Sequence, residues 1–393
     1  MNKPTNVSRR ARAGNYVTVS TVGGERVRAF VPAPLLPTPP IEIDGALRLV
    51  LDEALVALGR LDGVSGFLPD RNLLLYSFVR KEAVLSSQIE GTQSSLSDLL
   101  LAEIDEAPGV PIDDVSEVSN CVAAIEHGVR RLREDFPLSN RLLREMHEIM
   151  LRRGRGAEKQ PGHFRHSQSW IGGTRPGNAV FVPPPPDRVE DLMGALERFL
   201  HDERTSPLLK AALAHVQFET IHPFLDGNGR VGRILITLIL VHGGLLREPM
   251  LYLSLYFRQH QREYYERLSA VRLEDDWAGW LRFFAEAVNV TARSALDTAQ
   301  RVTGMFEADL SRIHSLGRRA AAAAQVHTSL SKRPLASIAK LRELTGMSTP
   351  AIIRGLEALA GIGIVREITG RRRSRIFAYD QYLRLLNEGT EAP

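Results

Sequence analysis

The feature that most constrains this chain is a helix that must be buried although its first turn is polar. Residues 222–240 read HPFLDGNGRVGRILITLIL, and the run becomes almost wholly apolar after Arg233. A helix that is apolar nearly all round lies in a protein interior. Pro223 disfavours helix at His222, so the preceding helix should end there, and Asn228 is predicted to cap the next one.

A buried helix start leaves backbone amides without intrahelical partners, here those near Gly229, Arg230 and Val231. Free amides and the positive end of the helix dipole favour an anion. Arg230 and Arg233 lie three residues apart and can both bind phosphate oxygens. Asp226 can hold Mg²⁺, and His222 can accept a proton near neutral pH. The segment predicts a nucleoside triphosphate site with a general base. The alternative is a glycine-rich corner between helices with a structural histidine.

The single cysteine, Cys121, excludes an intrachain disulfide and fits a reducing compartment. Its helix-like surroundings predict a buried structural residue rather than a catalytic thiol. No apolar leader follows Met1, and the apolar run from Ile234 to Val241 is too short to span a bilayer. We therefore expect a cytoplasmic protein with no membrane partner.

Helical periodicity over most of the chain predicts an all-α protein with a few β-arms. A mostly extended segment, 1–40, includes a hairpin near Gly23–Gly24. Helical regions follow at 41–112 and 113–290, then a connecting helix over 291–328 and a small domain over 329–393. The glycine- and proline-rich stretch 161–186 predicts a hairpin around TRPGN.

The last domain has its own pattern. A helix over 335–344 is followed by a TGMS turn and a second helix, with Thr349 as its N-cap and Pro350 in its first position. The apolar stripe of this second helix comprises Ile352, Leu356 and Leu359. Two β-arms flank TGRRRSR. The pattern resembles a winged helix-turn-helix, which implies duplex DNA contacts by Arg354, Arg371, Arg372, Arg373 and Arg375. Winged modules also dock proteins or form dimers, and the chain carries a net charge of only +4, so both roles stay open.

The run from His222 to Arg233 meets every specified position of the Fic-domain signature, H-P-F-x-D/E-G-N-G-R-x-x-R. The stretch SSQIEGT resembles the family's inhibitory helix, and GHFRHSQSWIGG with AVFVPPPP resembles its flap. LYLSLYFRQHQREYYERLSAV is similar to the helices after the motif. The resemblance covers about residues 25–290. It implies a Fic helical core with a β-hairpin flap, preceded by an inhibitory helix within 41–112.

The resemblance further implies a protein adenylyltransferase, which moves AMP from ATP to a Ser, Thr or Tyr hydroxyl and releases pyrophosphate. His222 would deprotonate that hydroxyl, and Asp226 would hold Mg²⁺ on the phosphates. Phe224 would set the loop, and Tyr264 would lie near the adenine. The remaining nucleotide-binding positions would be Gly227, Asn228, Gly229, Arg230, Val231, Gly232, Arg233 and, on the flap, Val180 and Phe181. A target segment would add as a strand to the flap edge.

Glu90 closes a predicted helix, with Gly91 as its C-cap. A carboxylate there faces the negative end of the helix dipole, so an arginine is its natural partner. Ser86 lies one turn earlier on the same face. The resemblance implies that Glu90 pairs with Arg233 and draws it away from the γ-phosphate of ATP, whereas the plain alternative is a solvated helix end.

Two other functions remain open. One is a DNA-binding transcriptional regulator that senses nucleotide through the Fic core. The other is removal of AMP from modified targets, with Glu90 positioning water. The candidate partners are a target protein, the chain itself through self-modification, duplex DNA and a second copy in a homodimer.

Overall fold

Helices make up most of the computed structural model, which describes residues 13–20, 24–67, 72–104 and 112–391. In chain order they are α1 (Gly45–Phe67), α2 (Asn72–Ile89), α3 (Leu96–Ala102), α4 (Ile112–Arg133), α5 (Asn140–Leu151), α6 (Val189–Leu200), α7 (Pro207–Ile221), α8 (Asn228–His242), α9 (Ser254–Gln259), α10 (Gln261–Glu274), α11 (Trp277–His314), α12 (Ala320–Lys332), α13 (Ile338–Thr345), α14 (Thr349–Gly361) and α15 (Asp380–Asn387). None of these described helices combines the length and apolarity needed to cross a bilayer.

Helix α8 lies at the centre of the core. Its side chains from Val231 to Leu240 are buried on every face, as its apolar composition predicts. It packs against α7, which precedes it, and against α4. The loop between α7 and α8 is therefore surrounded by protein, and its polar groups must find partners there or bind a ligand.

An antiparallel hairpin lies at the N-terminal end of the described chain, as predicted. Strand β1 (Gly14–Ser20) pairs with β2 (Arg26–Pro32), with Gly14 opposite Pro32. Gly23, in the predicted turn, lies outside the described residues, as do residues 1–12. The amide of Phe30 donates to the carbonyl of Val182 at 2.9 Å, so the hairpin also contacts the segment predicted to form the flap.

The predicted connecting helix over 291–328 is wrong in both bounds. Helix α11 begins at Trp277 and ends at His314, and α12 begins at Ala320. Gly317 lies between them with φ +60°, a left-handed conformation that only glycine adopts at little cost and that ends helical geometry.

The C-terminal domain contains α12, α13 and α14 with a three-stranded antiparallel sheet in the order β3–β5–β4, formed by Leu335–Ser337, Ile376–Tyr379 and Val365–Glu367. Two of the predicted boundaries in this domain need correction. Residues 335–337 form a strand, and α13 begins at Ile338 because the hydroxyl of Ser337 accepts from the amide of Lys340. Ser348, not Thr349, is the N-cap of α14. The predicted stripe of Ile352, Leu356 and Leu359 is buried.

After β5, the chain returns to the N-terminal helices through α15. The hydroxyls of Tyr382 and Ser77 are 3.1 Å apart, and the amide of the Asn387 side chain donates to the hydroxyl of Ser97 at 3.0 Å. The C-terminal segment is thereby attached to α2 and α3.

Candidate active site

The loop between α7 and α8 is shaped by two residues with positive φ. His222 is left-handed (φ +50°) and ends α7, with its amide donating to Phe218 at 2.9 Å. Gly227 (φ +74°) occupies the N-cap position of α8. Asn228 is thus the first helical residue rather than the predicted cap. Its side chain closes the loop instead, because Oδ1 accepts from the Phe224 amide at 2.8 Å and Nδ2 donates to the Phe224 carbonyl at 2.9 Å.

Phe224 anchors this loop in the core. Its ring is fully buried and stacks on His147, with centroids 3.8 Å apart and planes at 7°. The amide of Gly162 donates to Nδ1 of His147, so Nε2 carries the proton and donates to the carbonyl of Asp226 at 3.0 Å. Burial lowers the pKa of His147 to about 4, which keeps the ring neutral. His147 was not predicted from the sequence.

The start of α8 offers three backbone amides, those of Asn228, Gly229 and Arg230. The first intrahelical bond runs from the amide of Val231 to the carbonyl of Gly227 at 3.1 Å. The amide of Val231 is therefore not free, contrary to the prediction. Gly232 also belongs to the interior, because its carbonyl accepts from Nδ1 of His215 at 3.0 Å.

Arg230 is held by carboxylates inside the protein. Its side chain is almost completely buried, with Nη1 3.3 Å from Oε2 of Glu117 and Nη2 3.7 Å from Oδ1 of Asp226. Glu117 also binds Arg155, with 2.9 Å between the nearest atoms. Glu117 therefore fixes Arg230 beside the helix start, a role that was not predicted from the sequence. Oδ1 of Asp226 further accepts from the amide of Gly227 at 2.6 Å.

Arg233, one turn further along α8, is bound by the end of α2. Its Nε donates to the Ser86 hydroxyl, and its Nη2 donates to the Ser86 carbonyl and to Oε1 of Glu90, all at 2.8 Å. A methyl group at Gly229 would lie only 2.2 Å from Oε1 of Glu90. The carboxylate therefore occupies the mouth of α8. Burial acts to raise the pKa of Glu90, but Arg233 outweighs it and lowers the pKa.

Helix α2 ends in the way its sequence predicts. Gly91 is left-handed (φ +96°), its amide donates to Gln88, and the amide of Thr92 donates to Ser87 at 3.2 Å. These two bonds form a Schellman motif, which directs the last turn and its carboxylate toward α8.

His222 lies beside the mouth of α8, half-buried. Within the described residues its Nδ1 has no hydrogen-bond partner. Burial and the nearby Arg165 lower the pKa of His222 to about 4, so the ring is a neutral proton acceptor at pH 7. Arg165 is itself buried, and it donates to the carbonyls of His222 at 2.8 Å and Pro184 at 2.6 Å. It joins the loop to the flap and was not identified from the sequence.

The flap over 161–186 is less regular than the predicted hairpin. Its arms meet at one antiparallel bridge, between Ile171 and Phe181. Val180 is 82% exposed and Phe181 only 8%. The Phe181 ring lies under the guanidinium of Arg272, 4.0 Å away, and beside Phe30. Phe181 therefore anchors the flap, and the N-terminal hairpin occupies part of the edge on which we expected a target strand.

Tyr264, which was predicted to lie near the adenine, is buried in the core. It is 1% exposed, stacks on Phe257 and donates its hydroxyl to Nε2 of His215 at 2.8 Å. The next residue, Tyr265, is 45% exposed and lines a cavity of about 1090 Å³ together with Val180. Consecutive helical residues point about 100° apart, so the two tyrosines face different surroundings.

The arginines predicted to contact DNA lie mostly at the surface of the C-terminal domain. Arg354 on α14 is exposed, as are three arginines between β4 and β5, namely Arg371, Arg372 and Arg373. Arg375 differs because it is half-buried, with its guanidinium 5.5 Å from the centroid of the Phe377 ring.

Comparisons with known proteins agree with this geometry. Residues 49–130 match the Fic/DOC family N-terminal region, and residues 137–240 match the Fic/DOC family domain. The chain is similar to proteins named protein adenylyltransferase Fic. The relative from Drosophila yakuba is 29% identical over 208 residues, and that from Culex quinquefasciatus is 31% identical over 210 residues. Each match covers 52% of this chain and 39% of the relative, so the chain spans about two fifths of these relatives.

Solved structures support the fold. A Fic family protein from Desulfovibrio desulfuricans G20 superposes with a TM-score of 0.57 at 23% identity, over 87% of this chain and 98% of that one. A Fic domain containing signaling protein from Bacteroides thetaiotaomicron gives a TM-score of 0.51 at 18% identity, over 64% of this chain and 97% of that one. With the complete motif on the loop between α7 and α8 and with matches to both family regions, the chain contains a Fic/DOC family domain.

Proposed function

We propose that this chain transfers AMP from ATP to a hydroxyl group of a target protein. One observation carries the proposal: the first amides of α8, the guanidinium of Arg233 and the neutral imidazole of His222 converge on one loop. The names of the relatives, protein adenylyltransferase Fic, support the same activity.

In this reaction a ring nitrogen of His222 takes the proton of the target hydroxyl. The hydroxyl oxygen then bonds to the α-phosphorus of ATP, the bond from that phosphorus to the bridging oxygen breaks, and pyrophosphate leaves with the bonding electrons. The amides of Gly229 and Arg230 and the two motif arginines neutralise phosphate charge. Such transfer depends chiefly on positioning and charge, which fixed donors supply without reorganisation.

Asp226 suits a magnesium ion that arrives with the nucleotide. Its half-exposed carboxylate lies at the rim of the loop, and Mg²⁺ is commonly held by one or two carboxylates together with phosphate oxygens and water. No group of three or more His, Cys, Asp or Glu side chains among the described residues could hold a metal by itself. A bound Mg²⁺ would offset the phosphate charge.

Glu90 would restrain this activity by holding Arg233, so that Arg233 cannot bind the γ-phosphate and ATP lies in an unproductive pose. The short contact between Glu90 and Arg233 supports this role. The same residues suit the reverse task, removal of AMP with Glu90 orienting water. Incubation with a target that already carries labelled AMP separates the two activities.

Labelling of a cell lysate with α-³²P-ATP and Mg²⁺ tests the proposal. We expect protein bands that retain label after denaturation when the chain is added. Addition of the chain must not raise labelling from γ-³²P-ATP above that of the lysate alone, because the γ-phosphate leaves with pyrophosphate. A gain of γ-label without α-label would indicate phosphate transfer instead, and no gain of label from either nucleotide in any variant would contradict the proposal.

DNA binding is a second candidate function, favoured by the exposed arginines of α14 and the wing. If four arginines contact phosphates, the logarithm of affinity should fall with the logarithm of salt concentration with a slope of about −3 to −4. Fluorescence anisotropy with a labelled duplex measures this slope, and Arg372→Ala should make it shallower by about 1. Binding that survives His222→Ala and changes with ATP would support a nucleotide-sensing regulator, whereas no binding at low salt would favour protein docking by the winged domain.

A further inference from the structure

The chain at the end of α15 and just beyond it packs against α2. We call residues 387–391 the C-terminal segment. Lys81 of α2 donates from Nζ to the carbonyl of Glu388 at 2.7 Å, and Gln88 donates from Nε2 to the carbonyl of Thr390 at 3.1 Å. Both side chains are buried, with exposures of 1% and 5%. Buried donors of this kind are costly to leave unpaired, so α2 and the C-terminal segment stabilise each other.

Other helices fix the same segment. Arg258 of α9 donates to the carbonyls of Gly389 and Glu391, the first at 2.9 Å. Arg301 of α11 binds the carboxylate of Glu388 at 2.7 Å, and Thr390 is completely buried. The segment therefore occupies one defined position.

The contacts of α2 with the segment and with the active site lie on opposite faces of the helix. Lys81 and Gln88 are seven positions apart and share one face, and Ser86 and Glu90 are four positions apart and share another. At about 100° per residue, the two faces are separated by roughly 160–180°. Helix α2 is therefore held between Arg233 in front and the C-terminal segment behind.

We propose that the C-terminal segment is a latch that keeps α2, and with it Glu90, in the position that binds Arg233. Release of the segment frees the last turns of α2 and raises AMP transfer, so this proposal rests on the proposed function. The latch is continuous with the winged domain, because Tyr379 at the end of β5 donates to Asp309 of α11 and Tyr382 of α15 contacts Ser77 of α2. A displacement of α15 would therefore shift α2 and, with it, the position of Glu90.

A pair of glycine substitutions tests the latch without touching the nucleotide site. Gly389 has φ +79°, and a methyl group there would lie 2.8 Å from Cδ1 of Leu255. Gly363 has φ +73°, but an added methyl group would meet no described heavy atom within 4 Å. Both alanine variants strain the backbone similarly, and only Gly389→Ala also places a methyl group against the buried side chain of Leu255.

Two measurements separate the latch from the enzymatic proposal. In Gly389→Ala we expect hydrogen exchange of the amides of residues 84–90 to accelerate about tenfold, the scale for losing hydrogen bonds of buried side chains, and label incorporation from α-³²P-ATP to rise similarly. Gly363→Ala should match the unsubstituted chain in both, at a comparable melting temperature. Exchange at 84–90 that stays at the original rate in Gly389→Ala overturns the latch. Faster hydrogen exchange at residues 84–90 in Gly389→Ala, with no AMP label in any variant including Glu90→Gly, would support the coupling between the C-terminal segment and α2. The same result would contradict the proposed AMP transfer.

Discussion

Replacing Glu90 with glycine should raise AMP incorporation by about 10- to 100-fold, as expected for loss of a charge-assisted bond that contributes about 1.5–3 kcal/mol. The carboxylate holds Nη2 of Arg233 at 2.8 Å and lies over Gly229. Its removal frees both the guanidinium and the first amides of α8 for phosphate oxygens. Initial rates with α-³²P-ATP, for self-modification and for lysate targets, measure the effect.

The same substitution should lower stability while it raises activity. Arg233 is 2% exposed, and without Glu90 its charge keeps only the two bonds to Ser86. We expect a cost of about 1–3 kcal/mol, visible as a lower melting temperature that ATP with Mg²⁺ partly restores. Glu90→Gln is the graded control, since it keeps the shape and loses the charge. Equal rates for Glu90→Gly and the unsubstituted chain, with His222→Ala inactive, would refute the inhibitory role.

His222→Ala should abolish transfer, with a loss of about 10²–10⁴-fold, the range for a positioned general base. The change is best made in the Glu90→Gly background, where the rate is highest. Affinity for ATP should stay nearly constant, because the amides of α8 and both arginines are untouched. Single-turnover rates and the Kd for ATP separate the two effects. Full turnover in the His222→Ala variant would remove the imidazole from the mechanism.

The pH profile gives an independent check on His222. Because burial and Arg165 lower its pKa to about 4, the imidazole is neutral and able to accept a proton at every pH above about 5. For Glu90→Gly, kcat/KM should therefore be flat from pH 6 to 8 and fall below about pH 5 as the ring becomes protonated. A midpoint near the ordinary histidine value of 6.5 would show that the ring is solvated during catalysis.

Features that depend on neighbouring residues were predictable from the sequence. Local sequence determines three such features: the turn at Gly227, the Schellman motif that ends α2 at Gly91, and the buried stripe of α14. Glycine supplies the left-handed conformation, and apolar spacing selects the buried face. The burial of individual helical side chains was less certain, because Tyr264 is buried and Tyr265 reaches the surface.

Partners distant in the chain were not predictable. Glu117 meets Arg230 across 113 positions, His147 meets Asp226 across 79, and Arg165 meets His222 across 57. Each is a common residue type in an ordinary helical or loop pattern, so only the packing of the helices brings it to the site. The break between α11 and α12 had a local signal, Gly317, but a lone glycine within helical periodicity is weak evidence for a helix end.

Helix α11 is continuous over 38 residues from Trp277 to His314, and it fixes the distance between the elements that pack at its two ends. Near its start, Trp280 donates to the carbonyl of Ala212 in α7, and near its end Asp309 accepts from Tyr379 beside the wing. The intervening 29 positions correspond to about 44 Å along the axis. One residue inserted between them would rotate the C-terminal domain by about 100° relative to α7. The number of residues between Trp280 and Asp309 therefore fixes the rotation of one end of α11 relative to the other.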